Sequence, residues 1–461
     1  MYPDTVGRVH QYRQQGHTAA DILAGCLQRI AQHNPRINAV VTLNPEAANQ
    51  AAAIAAASAH LSGVPITIKD AFATAGLRTT AGYPPLRDYL PGEDAAAVAK
   101  LKAAGAIVVG KTNLPLLAGD IQCHNPIFGR SNNPFDIQRT TGGSSGGGAA
   151  AVAMGFSVLD LGSDLAGSIR IPASFCGVAG LKATENRINS QGHIPPLPQQ
   201  ARSVWHMLSL GFLARDVASL HSGLAAVCDD YAAPTPVNRP LRVAYWADFG
   251  GIPLCPRTRL AWARSLACLQ QHGIDVQEAK PAGFDFQAAW TAYGWLAGSE
   301  IGLGLPAWQR TALQIIGQCQ RPTQRLLRAF GQGMALDMRR YNQALNTRTR
   351  LAAALDDFLQ QWDVWLCPVS ASAAFQHIRH RNPLRHTPIR EDGLSWPYLD
   401  GSIGHTVPFS LTGHPVVCLP AGLSQGLPVG LQLVGGYGKD EALLLAAAHL
   451  ESIIQGFQAP V

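Results

Sequence analysis

Short, continuously apolar segments alternate with helical ones along the N-terminal half of the chain. Segments with the length and apolar composition of buried strands are residues 64–68, 106–109 and 156–161. Segments with a helical pattern are residues 18–32, 45–60 and 94–104. Thr18 is a suitable N-cap for the first helix, and Gly105 is a typical stop for the third. This alternation is typical of α/β proteins, and the apolar strands indicate a largely buried sheet.

The C-terminal half continues the alternation after a proline-rich stretch at residues 232–240. This stretch is the best candidate for a seam, that is, a boundary between two parts of the chain. Further strands are predicted over residues 241–246, 274–276, 363–367 and 416–420. Further helices are predicted over residues 257–272, 309–357 with an interruption at Pro322, and 441–453. The chain shows no internal repeat, so the prediction is a non-repetitive α/β fold.

The composition is that of a globular protein, with 47% hydrophobic and 14% charged residues among 461. It provides ample material for a core and argues against disorder. The net charge of +6 is carried by scattered basic residues, except for a denser stretch at residues 377–390. Nucleic-acid binding would require a dense basic stripe, so no nucleic-acid partner is expected. We interpret the stretch as a solvated loop, with guidance of an anionic or polar substrate as the alternative.

The nine cysteines are odd in number, widely spaced and without a C-x-x-C pair. They form neither a disulfide framework nor a zinc pattern, and reduced thiols in a cytoplasmic protein fit them best. The first 15 residues are polar and lack the apolar core of a signal peptide. No apolar run approaches the ~20 residues that span a bilayer. We therefore expect a cytoplasmic chain without a transmembrane segment, and no metal or other cofactor.

Lys69 directly follows the apolar strand predicted at residues 64–68. Most lysines in such a position reach the surface by extending their side chains. A buried lysine behaves differently, because desolvation disfavours the ammonium and lowers its pKa. A neutral amine then becomes accessible near pH 7 and can act as a general base. Both interpretations are open from the local sequence.

A glycine- and serine-rich turn occupies residues 141–148, between apolar segments that suggest burial. It lacks the GK[ST] and G-x-G-x-x-G patterns of nucleotide sites, so a phosphate-binding loop is not predicted. Residues 143–147 match the G-x-S-x-G nucleophile elbow, with Ser145 at its centre. That pattern arises by chance in turns of this composition, so a flexible loop is the alternative.

A second tight turn, residues 162–170, contains Ser168. Small residues before that serine place consecutive backbone N–H groups where they can surround a carbonyl oxygen that the serine attacks. Each donor of such an oxyanion hole is worth roughly 10²–10³ in rate. Asp164 and Arg170 flank the turn, and we interpret both as scaffold.

Together these segments resemble the amidase signature family. The resemblance is strongest over residues 63–184, which contain GVPITIKD, VVGKTN, NNPFD, TTGGSSGGGAAAVA and LGSDLAGSIRIPASFCGVAGLKAT. It resumes at residues 363–368 and 406–436, with LTGHPVVCLPAG and GLPVGLQLVGG. The family implies one α/β/α domain over residues 1–461, with a large mixed β-sheet flanked by helices. Its substrate pocket is formed by variable segments, here about residues 285–400.

The family also implies a Ser–cisSer–Lys triad. Carried over by position, Lys69 is the base, Ser144 the cis-serine and Ser168 the nucleophile. Neutral Lys69 then accepts a proton through Ser144, which activates Ser168 to attack an amide carbonyl. The backbone N–H groups expected to hold the oxyanion are those of Leu165, Ala166, Gly167 and Ser168. The residues expected to act as scaffold are Ser145, Asp164 and Arg170.

Two positions depart from the family pattern. The family usually has glycine where this chain has Ala166, and alanine would cost about 1 kcal/mol if that residue needed a positive φ. The transamidation subunits of the family, which release ammonia from glutamine, carry an aspartate three residues before the threonine that aligns with Thr406. Here that position is Ile403, and Asp400 is out of register. Glutaminase activity is therefore not expected.

The expected function is hydrolysis of a carboxamide C–N bond in a small molecule through an acyl-enzyme on Ser168. The alternatives are an A-type subunit of a glutamine amidotransferase, a serine esterase that pairs Ser145 with a histidine such as His405, and a relative that transfers acyl groups or has lost catalysis. Tryptophans of the variable region that could wall a pocket or pack in the core are Trp290, Trp295, Trp308 and Trp396. The acyl group is not readable from the sequence, and a homodimer is left open.

Overall fold

The computed structural model describes residues 3–54, 60–234, 239–379 and 387–460. Its strands, numbered β1–β15 along the chain, are Val40–Leu43, Pro65–Lys69, Ile107–Thr112, His124–Asn125, Gly129–Arg130, Leu159–Asp164, Ala179–Lys182, Ser209–Ala214, Arg242–Tyr245, Asp275–Glu278, Val364–Pro368, Ile389–Glu391, Leu394–Trp396, Val416–Ser424 and Leu427–Val434. Its α-helices, α1–α15, are Val6–Gln14, Ala19–Ile37, Ala47–Ala53, Ala96–Ala103, Gly146–Met154, Arg170–Cys176, Val217–Val227, Pro256–Gln271, Phe286–Leu303, Ala307–Gln318, Arg325–Gly333, Met338–Phe358, Tyr398–Ile403, Val407–Thr412 and Asp440–Glu451. Short 3₁₀ turns are present at Pro84–Leu86 and Leu116–Ala118.

Eleven strands of the described chain form one sheet in the order β1-β3-β2-β6-β8-β7-β14-β15-β11-β9-β10. Towards one end of the sheet β2 pairs in parallel with both β3 and β6. At the other end β9 pairs in parallel with both β11 and β10. The central neighbours pair antiparallel, as β6 does with β8 and β14 with β15. The predicted large mixed β-sheet is confirmed.

Helices cover both faces of this sheet. Along β3, Ile107 and Val109 pack into one cluster of buried apolar side chains, whereas Val108 packs into another. Alternate residues of a strand point to opposite faces, so the two clusters lie on opposite sides of the sheet. Helices α5 and α6 contribute to the first cluster, and α4, α7 and α15 contribute to the second. The α/β/α layering implied by the family resemblance is confirmed.

The N-terminal helices form where they were predicted, with shifted ends. Thr18 caps α2 through reciprocal hydrogen bonds with Asp21, and the helix runs on to Ile37 instead of ending at residue 32. The helix predicted at residues 45–60 is shorter, because only α3 is helical there in the described part of the chain. Residues 55–59 of that prediction lie outside the described residues.

The strand predicted at residues 156–161 is displaced along the chain. Gly155 ends α5 in a left-handed conformation, and the next three residues form the connection, so β6 begins only at Leu159. The strand then continues to Asp164 and takes in the first residues of the turn predicted at residues 162–170. This displacement matters for the site, because it places the residues of that turn at the end of a buried strand.

The proline-rich seam predicted at residues 232–240 does not divide the sheet. Strand β9 follows the seam and pairs with β11, and both belong to the same sheet as the N-terminal strands. Residues 235–238 of the seam, and residues 380–386 of the basic stretch at 377–390, lie outside the described residues. None of the described helices is both long enough and apolar enough to cross a bilayer.

The parallel strands β2 and β6 position the residues of chemical interest. Ile68 of β2 lies opposite Leu161 of β6, so the two carboxyl ends meet at the same edge of the sheet. Lys69 ends β2, and Ser163 and Asp164 end β6. The glycine-rich turn leads into α5 beside them, and the connection from β6 to α6 carries Ser168.

Candidate active site

Lys69 is fully buried at the carboxyl end of β2. Its Nζ lies 2.7 Å from Ser144 Oγ, 3.0 Å from Ser163 Oγ and 3.4 Å from the Ser163 carbonyl oxygen. Burial lowers the pKa of Lys69 from 10.5 to about 7, against the opposing effect of Asp160 and Asp164. The neutral amine, which is the form that a general base requires, is therefore accessible near neutral pH. This burial excludes the alternative of a surface lysine.

Ser144 lies in the glycine-rich turn that leads into α5. The peptide bond between Gly143 and Ser144 is cis, and Ser144 is buried beside Lys69. The start of the helix needs glycine, because a Cβ on Gly148 would lie 2.0 Å from Asp160 Oδ2. The missing side chain lets α5 approach β6 closely enough to bring Ser144 to the lysine.

Asp164 and Arg170 clamp the loop that joins β6 to α6. Arg170 Nη2 donates to Asp164 Oδ1 at 2.8 Å, Arg170 Nε donates to Oδ2 at 3.0 Å, and both side chains are fully buried. Asp164 also accepts from the backbone N–H groups of Gly167 and Ile169. Burial alone would raise the pKa of Asp164, but Arg170 and these hydrogen bonds lower it to about 2. A charged aspartate therefore holds the loop that carries Ser168.

Ser168 is partly exposed and lies against the glycine-rich turn. Its carbonyl oxygen accepts a hydrogen bond of 3.0 Å from the Ser145 N–H. Ser145 Oγ donates to the Ser163 carbonyl oxygen at 3.3 Å. The two turns are therefore joined to each other, and Ser144 and Ser168 lie on adjoining segments.

Ser145 and His405 lack the contact that a serine–histidine pair requires. Ser145 is fully buried, with its hydroxyl directed at the Ser163 carbonyl group. His405 packs on Phe249 with ring centroids 4.9 Å apart, and neither of its ring nitrogens has a hydrogen-bond partner in the described structure. Burial lowers the pKa of His405 to about 3. The geometry therefore does not support the nucleophile elbow with this histidine.

The loop before Ser168 differs from the prediction in two respects. The Gly167 N–H donates to Asp164 Oδ1 at 2.7 Å and is engaged within the loop. The Gly167 N–H is therefore already used, and the expected oxyanion donors that remain as candidates are Leu165, Ala166 and Ser168. The positive φ of the loop, 117°, belongs to Gly167, and Ala166 lies outside the left-handed region. Alanine is accommodated there without backbone strain, so the expected cost does not arise.

Three residues at the site were not predicted to take part. Thr406 Oγ1 donates to the Ala166 carbonyl oxygen at 2.5 Å. Ser163 contacts Lys69 on one side and His193 Nε2, at 2.9 Å, on the other. Ser163 lies in the predicted second turn, so its position was readable from the sequence. Thr406 begins the family-like segment at residues 406–436, but only the fold brings its hydroxyl to this loop, and His193 comes from a segment with no chemical pattern of its own.

The variable region at residues 285–400 contains a cavity of about 670 Å³ between the α10–α11 connection and the β12–β13 hairpin. Trp396 lines this cavity, whereas Trp290 is buried in the core. Trp295 is half-buried and packs against the core. Trp308 is 70% exposed, so the prediction that it packs in the core is wrong.

Asp400 does not replace the acidic residue that is missing at Ile403. Asp400 is buried, and its carboxylate accepts from the backbone N–H groups of Arg325 and Leu326 and from Arg325 Nε at 3.2 Å. Its charge therefore anchors the first turn of α11. Ile403 is also buried, and its carbonyl oxygen accepts from Thr406 Oγ1 at 3.0 Å.

The fold and the site together define an α/β protein with two serine-containing turns beside a buried lysine. The buried lysine has a lowered pKa and contacts Ser144 and Ser163, and the adjoining loop presents the partly exposed Ser168. Within the described ranges, no group of three or more histidine, cysteine, aspartate or glutamate side chains is arranged to hold a metal ion.

Comparison with known proteins identifies the family. The family model described as Amidase matches residues 21–444, and the chain belongs to this amidase family. The A-type subunit of glutamyl-tRNA(Gln) amidotransferase from Roseiflexus castenholzii is 31% identical, over 96% of this chain and 94% of that protein. The corresponding protein from Thermus thermophilus, which has the same name, is 32% identical, over 94% of this chain and 93% of that protein.

Solved structures share the same fold. A crystal structure of an amidase has a TM-score of 0.81 and 30% sequence identity, and covers 98% of this chain and 100% of its own. The 6-aminohexanoate cyclic dimer hydrolase, solved in complex with substrate, has a TM-score of 0.80 and 25% identity over 100% of this chain and 98% of its own. The predicted family and fold are confirmed.

Proposed function

We propose that this chain is an amidohydrolase that cleaves a carboxamide C–N bond through an acyl-enzyme on Ser168. The observation that carries the proposal is the fully buried Lys69, whose Nζ lies 2.7 Å from Ser144 Oγ. With its pKa lowered to about 7, Lys69 can take up a proton at neutral pH, which an ordinary surface lysine cannot do efficiently. Membership of the amidase family supports the same class of reaction.

In the proposed mechanism, Lys69 begins as a neutral amine. It accepts the proton of Ser144, and Ser144 accepts the proton of Ser168 as the Ser168 oxygen attacks the amide carbonyl carbon. The tetrahedral intermediate collapses when the C–N bond breaks, and the leaving nitrogen takes the proton back through Ser144. Water then attacks the acyl-enzyme along the same proton path, which releases the acid and restores Ser168.

The loop before Ser168 is proposed to stabilise the negative charge that develops on the carbonyl oxygen. The N–H groups of Leu165, Ala166 and Ser168 have no acceptor in the described part of the chain. Asp164 and Arg170 act as scaffold by fixing the loop, so the donors are oriented before a substrate binds. This preorganisation avoids the cost of arranging donors during the reaction.

A fluorophosphonate probe tests the assignment, because it reacts with activated serines. We expect the wild-type chain to be labelled at Ser168, as located by peptide mass spectrometry, and Ser168→Ala to lose the label. Lys69→Met, which keeps the volume of the side chain, is expected to slow labelling by about 10²-fold or more. Lys102→Met, at the partly exposed partner of Asp94, is the matched control and is expected to react normally.

Two outcomes of this test would contradict the proposal. Labelling at Ser145 would favour the nucleophile elbow. A Lys69→Met variant that reacts at the wild-type rate would show that Lys69 is not the base. The substrate itself is sought with an amide library, by identifying through mass spectrometry which acyl group remains on Ser168. An amide that leaves its acyl group there defines the small-molecule substrate class.

The similarity to A-type amidotransferase subunits favours a second candidate function, ammonia release from glutamine within a multiprotein complex. Two residues argue against it. Ile403 offers no charge for the glutamine ammonium, and Asp400 is engaged by Arg325. We expect the isolated chain to release no ammonia from glutamine while it hydrolyses a simple amide. Ammonia release in a coupled glutamate assay would instead support the amidotransferase function.

A further inference from the structure

His193 reaches the site from a segment that the proposed mechanism does not use. Its Nε2 lies 2.9 Å from Ser163 Oγ, and Ser163 Oγ lies 3.0 Å from Lys69 Nζ. The other ring nitrogen, Nδ1, lies 3.2 Å from the Pro195 carbonyl oxygen. His193 is buried, so a continuous chain of hydrogen bonds connects its ring to the lysine away from solvent.

The backbone holds this ring beside the end of β2. His193 forms an antiparallel bridge with Phe72, and the Ile194 N–H donates to the Ala71 carbonyl oxygen at 2.7 Å. The imidazole also makes an edge contact with the Phe72 ring, with centroids 5.0 Å apart. The segment of His193 is therefore fastened to the residues that directly follow Lys69.

The direction of each hydrogen bond follows from the Pro195 carbonyl oxygen, which can only accept. His193 Nδ1 therefore carries the proton, and Nε2 of a neutral ring is an acceptor. The ring is neutral near pH 7, because burial, assisted by the charge of Lys69, lowers the pKa of His193 to about 3. Ser163 consequently donates its hydroxyl proton to Nε2 and presents only lone pairs to Lys69.

A neutral lysine amine has two N–H donors and one lone pair. Ser163 offers Lys69 two acceptors, its hydroxyl oxygen at 3.0 Å and its carbonyl oxygen at 3.4 Å. When both N–H groups are engaged there, the lone pair remains for Ser144 Oγ at 2.7 Å, where a proton has to be accepted. A Ser163 hydroxyl that was free to rotate could instead donate to the lone pair and block it.

We propose that His193 is a positioning residue that acts through Ser163 to reserve the lone pair of Lys69 for Ser144. The proposal rests on the proposed role of Lys69 as the base. The titratable groups that face Lys69 and His193 include Asp160, Asp164, Cys123 and Arg202. None of these four hydrogen-bonds to Ser163 Oγ within the described structure, so His193 alone takes the hydroxyl proton.

The test follows fluorophosphonate labelling of Ser168 in the intact chain from about pH 5 to pH 9. His193→Phe preserves a ring and removes the acceptor, whereas His193→Gln restores an acceptor at a similar reach. We expect His193→Phe to slow labelling about tenfold or more and His193→Gln to recover most of the rate. In His193→Phe the Ser163 hydroxyl can donate to the lone pair of Lys69, which stabilises the neutral amine and lowers the pKa of the lysine. The rise of the labelling rate on the acid side of the pH profile is therefore expected at lower pH than in the wild type.

A purely structural role of His193 would not produce these shifts, and a double variant separates the two explanations. If His193 acts only through Ser163, His193→Phe causes no further loss in a Ser163→Ala background. Additive losses, an unmoved acid limb, or a His193→Gln variant as slow as His193→Phe would overturn the proposal. If His193→Phe fails to fold, His193→Met replaces it in the same comparisons.

His221→Phe is the matched control, because His221 bonds to Tyr231 and has no hydrogen bond to Ser163 or Lys69. We expect it to be labelled at the wild-type rate.

Failure of this inference is distinguishable from failure of the proposed function. Normal labelling of Lys69→Met contradicts the function itself, whereas slow labelling of Lys69→Met with normal labelling of His193→Phe overturns only the role of His193.

Discussion

At the scale of single residues, burial lowers the pKa of Lys69, and the neighbouring carboxylates offset only part of this shift. Desolvation lowers its pKa, and the nearby charges of Asp160 and Asp164 raise it again, to about 7. The charge of Asp164 is shared with Arg170, which limits its effect on the lysine. Burial also raises the pKa of Asp160 to about 7, so the lysine and this carboxylate titrate in the same range.

Activity is expected to rise as the pH increases through about 7. The neutral amine of Lys69 is the form that accepts a proton, so kcat/KM grows as the ammonium, whose pKa is about 7, is deprotonated. In Asp160→Asn the acid limb is expected at lower pH, because the carboxylate that raises the lysine pKa is removed. A pH profile of amide hydrolysis or of probe labelling measures both effects.

Glu451→Gln is the control for this prediction. Glu451 is another carboxylate whose pKa burial raises to about 7, but it accepts from the Val217 N–H and does not contribute to the pKa of Lys69. Its variant is expected to keep the wild-type acid limb. An Asp160→Asn profile that coincides with the wild type would show that Asp160 does not tune the base.

At the scale of elements, the connection from β6 to α6 requires glycine at one position. Gly167 has a φ of 117°, and a Cβ on it would lie 2.5 Å from Thr406 Oγ1. Gly167→Ala is expected to lower kcat by about 10²-fold, because moving the loop displaces the proposed oxyanion donors. Ala166→Gly, one residue earlier, is expected to leave turnover close to that of the wild type. Steady-state kinetics that ranked the two variants in the opposite order would refute this account.

The Asp164–Arg170 pair stabilises the same connection. Arg170→Leu is expected to lower the free energy of unfolding by about 3–5 kcal/mol, because it leaves Asp164 charged, buried and without its partner. Arg8→Ala removes an exposed partner of Asp4 and is expected to cost less than about 1 kcal/mol. Urea unfolding followed by circular dichroism measures both losses, and equal values for the two variants would be inconsistent with a structural clamp.

At the scale of the whole molecule, the continuous sheet supports the prediction of one domain over residues 1–461. Eight of the nine tryptophans lie at residue 246 or later, beyond the seam, so their fluorescence reports mainly on the C-terminal half. Cys26 and Cys176 are buried, so their reactivity with a thiol reagent reports on unfolding of the N-terminal half. We expect both signals to change at the same urea concentration. Separate transitions would mean that the seam at residues 232–240 divides two folding units.

Most elements were predictable because their causes are local. The N-cap at Thr18 depends on a residue three positions away, and the strand before Lys69 depends on its own apolar composition. The boundary of β6 was misplaced because Gly155 ends α5 and a connection follows. The exposure of Trp308 was also missed, because the packing around α10 is not encoded in its local pattern.

The sequence by itself determined the alternation of helices and strands, and its ordered motifs determined the family. Both are properties of residues that are close together along the chain, or of spacings between segments. Only the tertiary structure decided that Lys69 is desolvated, that the Gly167 N–H is engaged by Asp164, and that His193 faces Ser163. Desolvation and the direction of a hydrogen bond depend on which groups surround an atom, and folding alone brings those groups together.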